Sequence, residues 1–334
     1  MVKFGVIGAG SWGSAMAYYL GRLGFPTSLW VREEEVLDGL LQSRINHTFL
    51  PGYEFPEIVS FHKNIGEVIK KAEIIFVAVP SQFCRQIYLR IDEHLKKGQV
   101  VVSLTKGLEQ KTYKRMTEVM EEVFRPTRKL GLAVLSGPSF AREVAAGHPT
   151  ALVLASKNQS LSKEIQETIS SLQLRIYTST DMIGVELGGA IKNVVAIAAG
   201  ISMGLGYGNN SRATLITRGL VEITRLGLAM GAKKETLYGL SGLGDLVLTC
   251  TSELSRNYRV GLELTRGKSL RQILSEMKMV AEGVRNTLTV YKLSAHKKIE
   301  MPICHQVYEI LYQGKPPHKA LEELMSRSLK EEKS

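Results

Sequence analysis

Short apolar runs alternate with amphipathic stretches through the first half of the chain. Residues 3–7, 27–31, 74–79, 100–104 and 130–135 are rich in Val and Ile and end in Gly, Pro, Ser or Arg. Runs of that length and composition predict buried strands. Between the first two, residues 15–23 carry Met16, Tyr19, Leu20 and Leu23 at spacings of three and four, which predicts a helix with one apolar face. Strands alternating with helices predict a parallel sheet covered on both faces. Residues 151–155 and 174–177 extend that sheet as further strands. After about residue 180 the strand-like runs stop, and helical patterns follow, joined by Gly-rich connections such as 204–208 and 239–244. The expected fold class is α/β: a parallel-sheet domain over 1–180, then an all-helical domain over 181–334 that ends in a charged, frayed tail at 330–334.

Composition narrows the function. The chain has 334 residues, 44% hydrophobic and 22% charged, with a formal net charge of +11. Its Lys and Arg are scattered among Glu and Asp, with no basic stripe interleaved with aromatics. That argues against nucleic acid as the partner and fits small anionic molecules better. Three cysteines, Cys84, Cys250 and Cys304, lie far apart and form no C-x-x-C. They supply neither a disulfide framework nor a metal site, and a reducing cytoplasm is the expected compartment. The start Met1-Val2-Lys3-Phe4 runs straight into a strand pattern, which leaves no room for a signal peptide. The longest apolar stretch, 183–206, contains Glu186, Lys192 and several Gly, so no membrane insertion is expected.

The first chemical signal is Gly8-x-Gly10-x-x-Gly13, placed after a strand and at the start of a helix. In that context the first glycine makes the tight turn. The second lets the backbone approach a pyrophosphate, and the third packs helix against strand. The free N–H groups of the helix then face the phosphates. A Rossmann-type dinucleotide site is expected. Where NAD enzymes carry an acid for the ribose 2′-hydroxyl, this chain has Arg32, which suits the 2′-phosphate of NADP. Glu33, Glu34 and Glu35 follow at once, and a solvated surface role for Arg32 stays open. NADPH is therefore the preferred cofactor, with NADH possible.

Other strand ends carry further candidates, because ligands of such sheets sit beyond the carboxyl ends of the strands. Lys106 follows the run 100–104, and Ser136-Gly137-Pro138-Ser139 follows 132–135. Lys106 is either a surface lysine or a cation at the ligand edge. Ser139 is either an N-cap or a hydroxyl offered to substrate. Lys192 is a lone charge in a run of Ala, Ile, Val and Gly, with Gly188, Gly189, Val195 and Ala196 as helical neighbours. Those small residues let another surface or a ligand come close to its ammonium. Desolvation and nearby cations lower the pKa of such a lysine into the range of a general acid/base, unless its head snorkels to water. Asp245 either positions Lys192 or caps a helix after a glycine turn, and Thr249 shares its face four residues on. Ser255, Arg256 and Asn257 offer a hydroxyl, a guanidinium fork and an amide in a row. Arg256 suits phosphate unless it serves a surface salt bridge. Glu282, in a small apolar turn, has no role readable from its neighbours.

These segments together resemble the bacterial-type NAD(P)-dependent glycerol-3-phosphate dehydrogenases. The matching motifs include GAGSWGSAMA at 8–17, NHTFLPG at 46–52, LTKGLE at 104–109 and SGPSFA at 136–141. They continue with GGAIKNVVAIAAG at 188–200, NNSRATLITRGL at 209–220, GLSGLGDLVLTC at 239–250, TSELSRNYRVG at 251–261 and VAEGVRN at 280–286. The resemblance implies a site between a Rossmann domain and a helical substrate domain, with a homodimer as the assembly. It implies Lys192 as proton acceptor in alcohol oxidation, with Lys106 and Asp245 beside it and Thr249 a weaker candidate. It implies Gly137, Ser139, Ser255, Arg256 and Asn257 as substrate contacts. Ser11, Trp12, Arg32, Lys106, Ala141, Arg256, Val280 and Glu282 are implied as cofactor contacts. The reaction implied is interconversion of dihydroxyacetone phosphate and sn-glycerol 3-phosphate, feeding glycerophospholipid synthesis. Two other readings remain: a ketopantoate- or β-hydroxyacid-type reductase, and a non-catalytic NAD(P) sensor.

Overall fold

In the computed structural model, which describes residues 1–277, 280–329 and 331–332, the predicted apolar runs pair side by side. In chain order the strands are β1 (Phe4–Ile7), β2 (Thr27–Trp30), β3 (Ile45–Asn46), β4 (Leu50–Glu54), β5 (Val59–His62), β6 (Ile74–Val77), β7 (Val100–Ser103), β8 (Gly131–Ser136), β9 (Thr150–Ala155) and β10 (Leu174–Ser179). Eight of them form one sheet in the order β10-β9-β8-β7-β6-β1-β2-β5, and β3 and β4 form a separate hairpin. The strands β1, β2, β6 and β7 are buried along their whole length. The near-continuous Val/Ile/Phe runs of β6 and β7 reflect burial on both faces.

The sheet departs from the expected all-parallel pattern at one point: β9 runs antiparallel to β8, and β10 is parallel to β9. A parallel return needs a crossover that spans the sheet. The β8–β9 connection holds only the five-residue helix Ala141–Ala145, which packs on the helix Ser11–Arg22. The chain therefore turns back at the same edge. Strand β5 and the β3–β4 hairpin went unpredicted. Only Val59 of β5 is fully buried, so this edge strand carries little apolar signal.

Beyond residue 181 the described chain is helical. Its axis is the helix Met182–Gly204, which is buried on nearly every face. It is long and apolar enough to cross a membrane, yet 89% of its most apolar window is covered by the rest of the chain. The helices Asn209–Ala229, Asp245–Thr251, Arg256–Thr265 and Glu282–Lys297 pack around it. Lys330, Lys333 and Ser334, part of the tail expected to fray, lie outside the described residues.

One buried ion pair ties this helix to the sheet layer. Glu186 accepts from Arg115 Nη1 at 2.6 Å, from the Thr117 backbone N–H at 2.8 Å and from Thr117 Oγ1 at 2.5 Å. Thr117 opens the helix that follows the Lys106 loop, so the pair fixes the loop's far end. Glu186→Ala leaves the Arg115 guanidinium, 11% exposed, without this partner. The expected loss is about 3 kcal/mol, typical of breaking one side of a buried pair. Urea unfolding of variant and wild type measures it.

Candidate active site

Four strand ends build one edge. Strands β1, β6, β7 and β8 are mutually parallel in sequence across the sheet, so their carboxyl ends lie side by side. At the end of β1 the chain turns through Gly8 with φ +110, in the left-handed region that favours glycine. A Cβ at Gly13 would lie 2.0 Å from the Gly8 carbonyl oxygen, so only glycine lets the helix Ser11–Arg22 start against this turn. That helix has Gly10 at its N-cap and no side-chain cap, and no atom lies within 4 Å of the side of Gly10 where a Cβ would project. Trp12 Nε1 is buried without a partner. Uncapped N–H groups, an open approach and an orphaned donor fit a dinucleotide pyrophosphate. Arg32 stands past the end of β2, 60% exposed and paired with Glu33.

The lysines meet on the same edge. Lys192 Nζ donates to Asp245 Oδ1 at 2.6 Å and to Thr249 Oγ1 at 2.5 Å. Lys106 Nζ donates to Asp245 Oδ2 at 2.7 Å, to the Gly137 carbonyl at 2.8 Å and to Ser139 Oγ at 3.5 Å. Asp245 thus holds one lysine on each oxygen and is itself 1% exposed. Burial lowers the Lys192 pKa to about 8, with the Lys106 charge pushing the same way and Asp245 pulling it up. The small residues near Lys192 admit protein: a Cβ at Gly188 would lie 2.7 Å from the Ser241 carbonyl oxygen, so the 240–244 turn that delivers Asp245 packs directly on this helix.

The structure decides two local alternatives against the N-cap. The N-cap before Ala141–Ala145 is Phe140, and Ser139 Oγ instead donates to the Gly137 carbonyl at 3.0 Å. The Gly137-Pro138 turn shifts the helix start by one residue and leaves Ser139 facing Lys106. Asp245 is no N-cap either: Gly244 holds that position, and the Asp245 carboxylate goes to the lysines.

The second row of candidates flanks this cluster. Ser255 caps the helix Arg256–Thr265, accepting from the Tyr258 N–H at 3.2 Å. Arg256 Nη1 donates to the Val280 carbonyl at 3.1 Å. Loss of solvent contact pushes the Glu282 carboxyl up to about 7, against the pull of Arg256, Lys106 and Lys192. Asn257 Nδ2 donates to Asn193 Oδ1, and Asn257 Oδ1 accepts from the Gly283 N–H, both at 2.9 Å. Ala141 begins its short helix and packs against the sheet core. Asn286 escaped the sequence reading, although it sits in a motif noted there. Its Nδ2 donates to the carbonyls of Lys106 at 3.2 Å and Ala190 at 3.1 Å, joining the two lysine-bearing segments. Its Oδ1 is buried without a partner.

This geometry has known counterparts. Residues 3–162 match the family model described as NAD-dependent glycerol-3-phosphate dehydrogenase N-terminus, and residues 181–322 match the model for its C-terminus. The chain belongs to the NAD-dependent glycerol-3-phosphate dehydrogenase family. A glycerol-3-phosphate dehydrogenase [NAD(P)+] of Syntrophotalea carbinolica is 48% identical over 331 residues, 99% of either chain. One of Koribacter versatilis is 49% identical over 329 residues, 98% of either chain. The crystal structure of glycerol-3-phosphate dehydrogenase from Coxiella burnetii superposes with a TM-score of 0.94 at 40% identity, covering 98% of this chain and 99% of that one.

Within this glycerol-3-phosphate dehydrogenase fold the Lys192 pKa has a testable sign. Asp245→Asn removes an attractive charge and lowers it below about 8. Lys106→Met removes a repulsive one and raises it. Carbon-13 NMR of labelled lysine side chains over a pH titration reads both shifts.

Proposed function

We propose that this protein is an oxidoreductase that interconverts dihydroxyacetone phosphate and sn-glycerol 3-phosphate with NADPH, and also with NADH, for glycerophospholipid synthesis. The observation that carries the reading is the buried Lys192 ammonium, held on Asp245 and Thr249 beside Lys106. Residues 1–180 form the dinucleotide-binding domain and 181–334 the substrate domain. The protein works in the cytoplasm as a homodimer, without membrane insertion.

Gly8, Gly10, Ser11, Trp12 and Gly13 hold the pyrophosphate end of the cofactor, and Arg32 meets its adenosine ribose. Lys106, Ala141, Arg256, Val280 and Glu282 line the rest of the cofactor path. When bound, the nicotinamide supplies or accepts the hydride. Protonated Lys192 donates to the substrate C2 oxygen as it gains negative charge. Lys106, fixed by the Gly137 carbonyl and Asp245, adds positive charge at the same point. Two ammoniums share one carboxylate, so the site stays electropositive before substrate arrives. Arg256 takes the substrate phosphate in its guanidinium fork. Ser255 and the second Nδ2 hydrogen of Asn257 add donors, and Gly137 and Ser139 contact the other end of the substrate.

In the oxidation direction Lys192 acts as base and must be neutral. The rate of glycerol 3-phosphate oxidation therefore rises with pH through about 8, and ketone reduction falls through the same range. Lys192→Ala keeps cofactor binding and loses roughly 10²–10⁴-fold in turnover. Nicotinamide absorbance with dihydroxyacetone phosphate, alongside cofactor binding by fluorescence, reads both. Turnover of hydroxyacids in place of the phosphate ester would assign a ketopantoate- or β-hydroxyacid-type reductase instead. Cofactor binding without turnover of any phosphorylated ketone would assign a sensor.

A further inference from the structure

Away from the lysine cluster, a second group of side chains meets at the outer edge of the sheet. Ser60 and His62 alternate with Phe61 on β5, so both project from the same face of the strand. Ser60 Oγ lies 2.9 Å from His62 Nε2, and His62 Nδ1 lies 2.9 Å from Glu67 Oε2. A carboxylate only accepts, so the imidazole proton sits on Nδ1 and the lone pair of Nε2 faces the Ser60 hydroxyl. Ser28 Oγ, at the paired position on β2, lies 3.1 Å from Ser60 Oγ. Ser60 has one proton, so with that proton on the His62 side the Ser28 hydroxyl is the donor. Glu67 is held by the first turn of the helix Ile65–Lys71, which Asn64 caps. The His62 side chain is 12% exposed, whereas Ser60 is open to solvent.

A serine on a base, with the base on an orienting carboxylate, is the geometry that activates a hydroxyl as a nucleophile. The backbone adds a fitting donor. Val31 N–H donates to the His62 carbonyl and Thr27 N–H to the Ile58 carbonyl, so the even-numbered residues of this stretch face β2. The odd-numbered ones face outwards: Arg44 Nη2 reaches the Val59 carbonyl from that side at 2.7 Å. The Phe61 N–H therefore points out of the sheet edge, one residue after Ser60, a usual place for an oxyanion donor. We propose that Ser60 and His62, oriented by Glu67, form a second catalytic site that hydrolyses small carboxylic esters through an acyl-serine. Ser60 Oγ bonds to the ester carbonyl carbon, and its proton passes to His62 Nε2. The carbon–oxygen bond to the alcohol breaks, and His62 returns the proton to the leaving oxygen. Water then adds to the acyl carbon by the same route, which releases the acid and restores the serine. Glu67 is a positioning residue that holds the tautomer and balances the imidazolium. Strand β5 lies four strand spacings from β7, about 19 Å, so this site is separate from Lys106 and stands apart from the dehydrogenase reading.

Hydrolysis of p-nitrophenyl acetate by the full-length protein tests the proposal, with a fluorophosphonate as covalent probe of the serine. The expected result is phosphonylation at Ser60, located by peptide mass spectrometry. Ser60→Ala abolishes that label and lowers hydrolysis to the background of other surface nucleophiles, while reduction of dihydroxyacetone phosphate is unchanged. His62→Gln lowers ester turnover by roughly 10²-fold, the lower end for a general base. Glu67→Gln lowers it by about tenfold, the scale of one charge-assisted hydrogen bond. Glu67→Asp keeps the carboxylate and recovers most of that loss, which separates an orienting charge from packing. A label absent from Ser60, or ester hydrolysis unmoved by Ser60→Ala, would overturn the proposal. Labelling of Ser60 at full rate in His62→Gln would overturn it as well. If Ser60→Ala lost dehydrogenase and ester turnover together, the role of Ser60 would be structural and the second site would fail.

Discussion

Asp245 is nearly sealed from solvent, and each of its oxygens carries a lysine, Lys192 on Oδ1 and Lys106 on Oδ2. Two ammoniums could not be brought together out of water without it, since each unpaired buried charge costs several kcal/mol. One carboxylate does not neutralise both. Burial lowers the Lys192 pKa, and the Lys106 charge pushes it the same way against the pull of Asp245. In the proposed reaction, the proton-transfer group and the electrostatic stabiliser are thus set by a single shared anion.

The rest of the architecture serves that arrangement. Lys106 comes from the carboxyl edge of the sheet, Lys192 from the central helix, and Asp245 from a turn that packs on Gly188 of that helix. Glu186 locks the far end of the Lys106 loop to the central helix, and Asn286 binds the backbone of Lys106 to that of Ala190. With both ends of the loop fixed to one helix, the two ammoniums hold their spacing before any ligand binds. Such preorganisation is what makes fixed charges effective on a developing alkoxide.

Local signals made much of this legible in the chain. The glycine loop reads clearly because turn, strand and helix must coincide within a few residues. Lys192 reads clearly because a charge in an apolar helix demands a reason. Contacts distant in sequence read poorly: Lys106 and Asp245 are 139 residues apart, and their meeting followed only from family resemblance. Nothing in the amide of Asn286 announces which carbonyls it will bridge. The direction of β9 was hidden for a similar reason, since a buried apolar strand has the same composition whichever way it runs. Ser139 left two readings open because Ser is common at helix starts; the N-cap is Phe140, one residue on, after the turn at Gly137 with φ +143.

The claim that the two lysines act as one unit through Asp245 is tested most directly by a double-mutant cycle on kcat/KM for dihydroxyacetone phosphate, with Lys106→Met, Lys192→Met and both together. If they share one function, the double variant is little worse than the poorer single one, because losses within a catalytic unit do not add. Losses that multiply as independent factors would contradict a shared carboxylate and leave two separate lysines that happen to be neighbours.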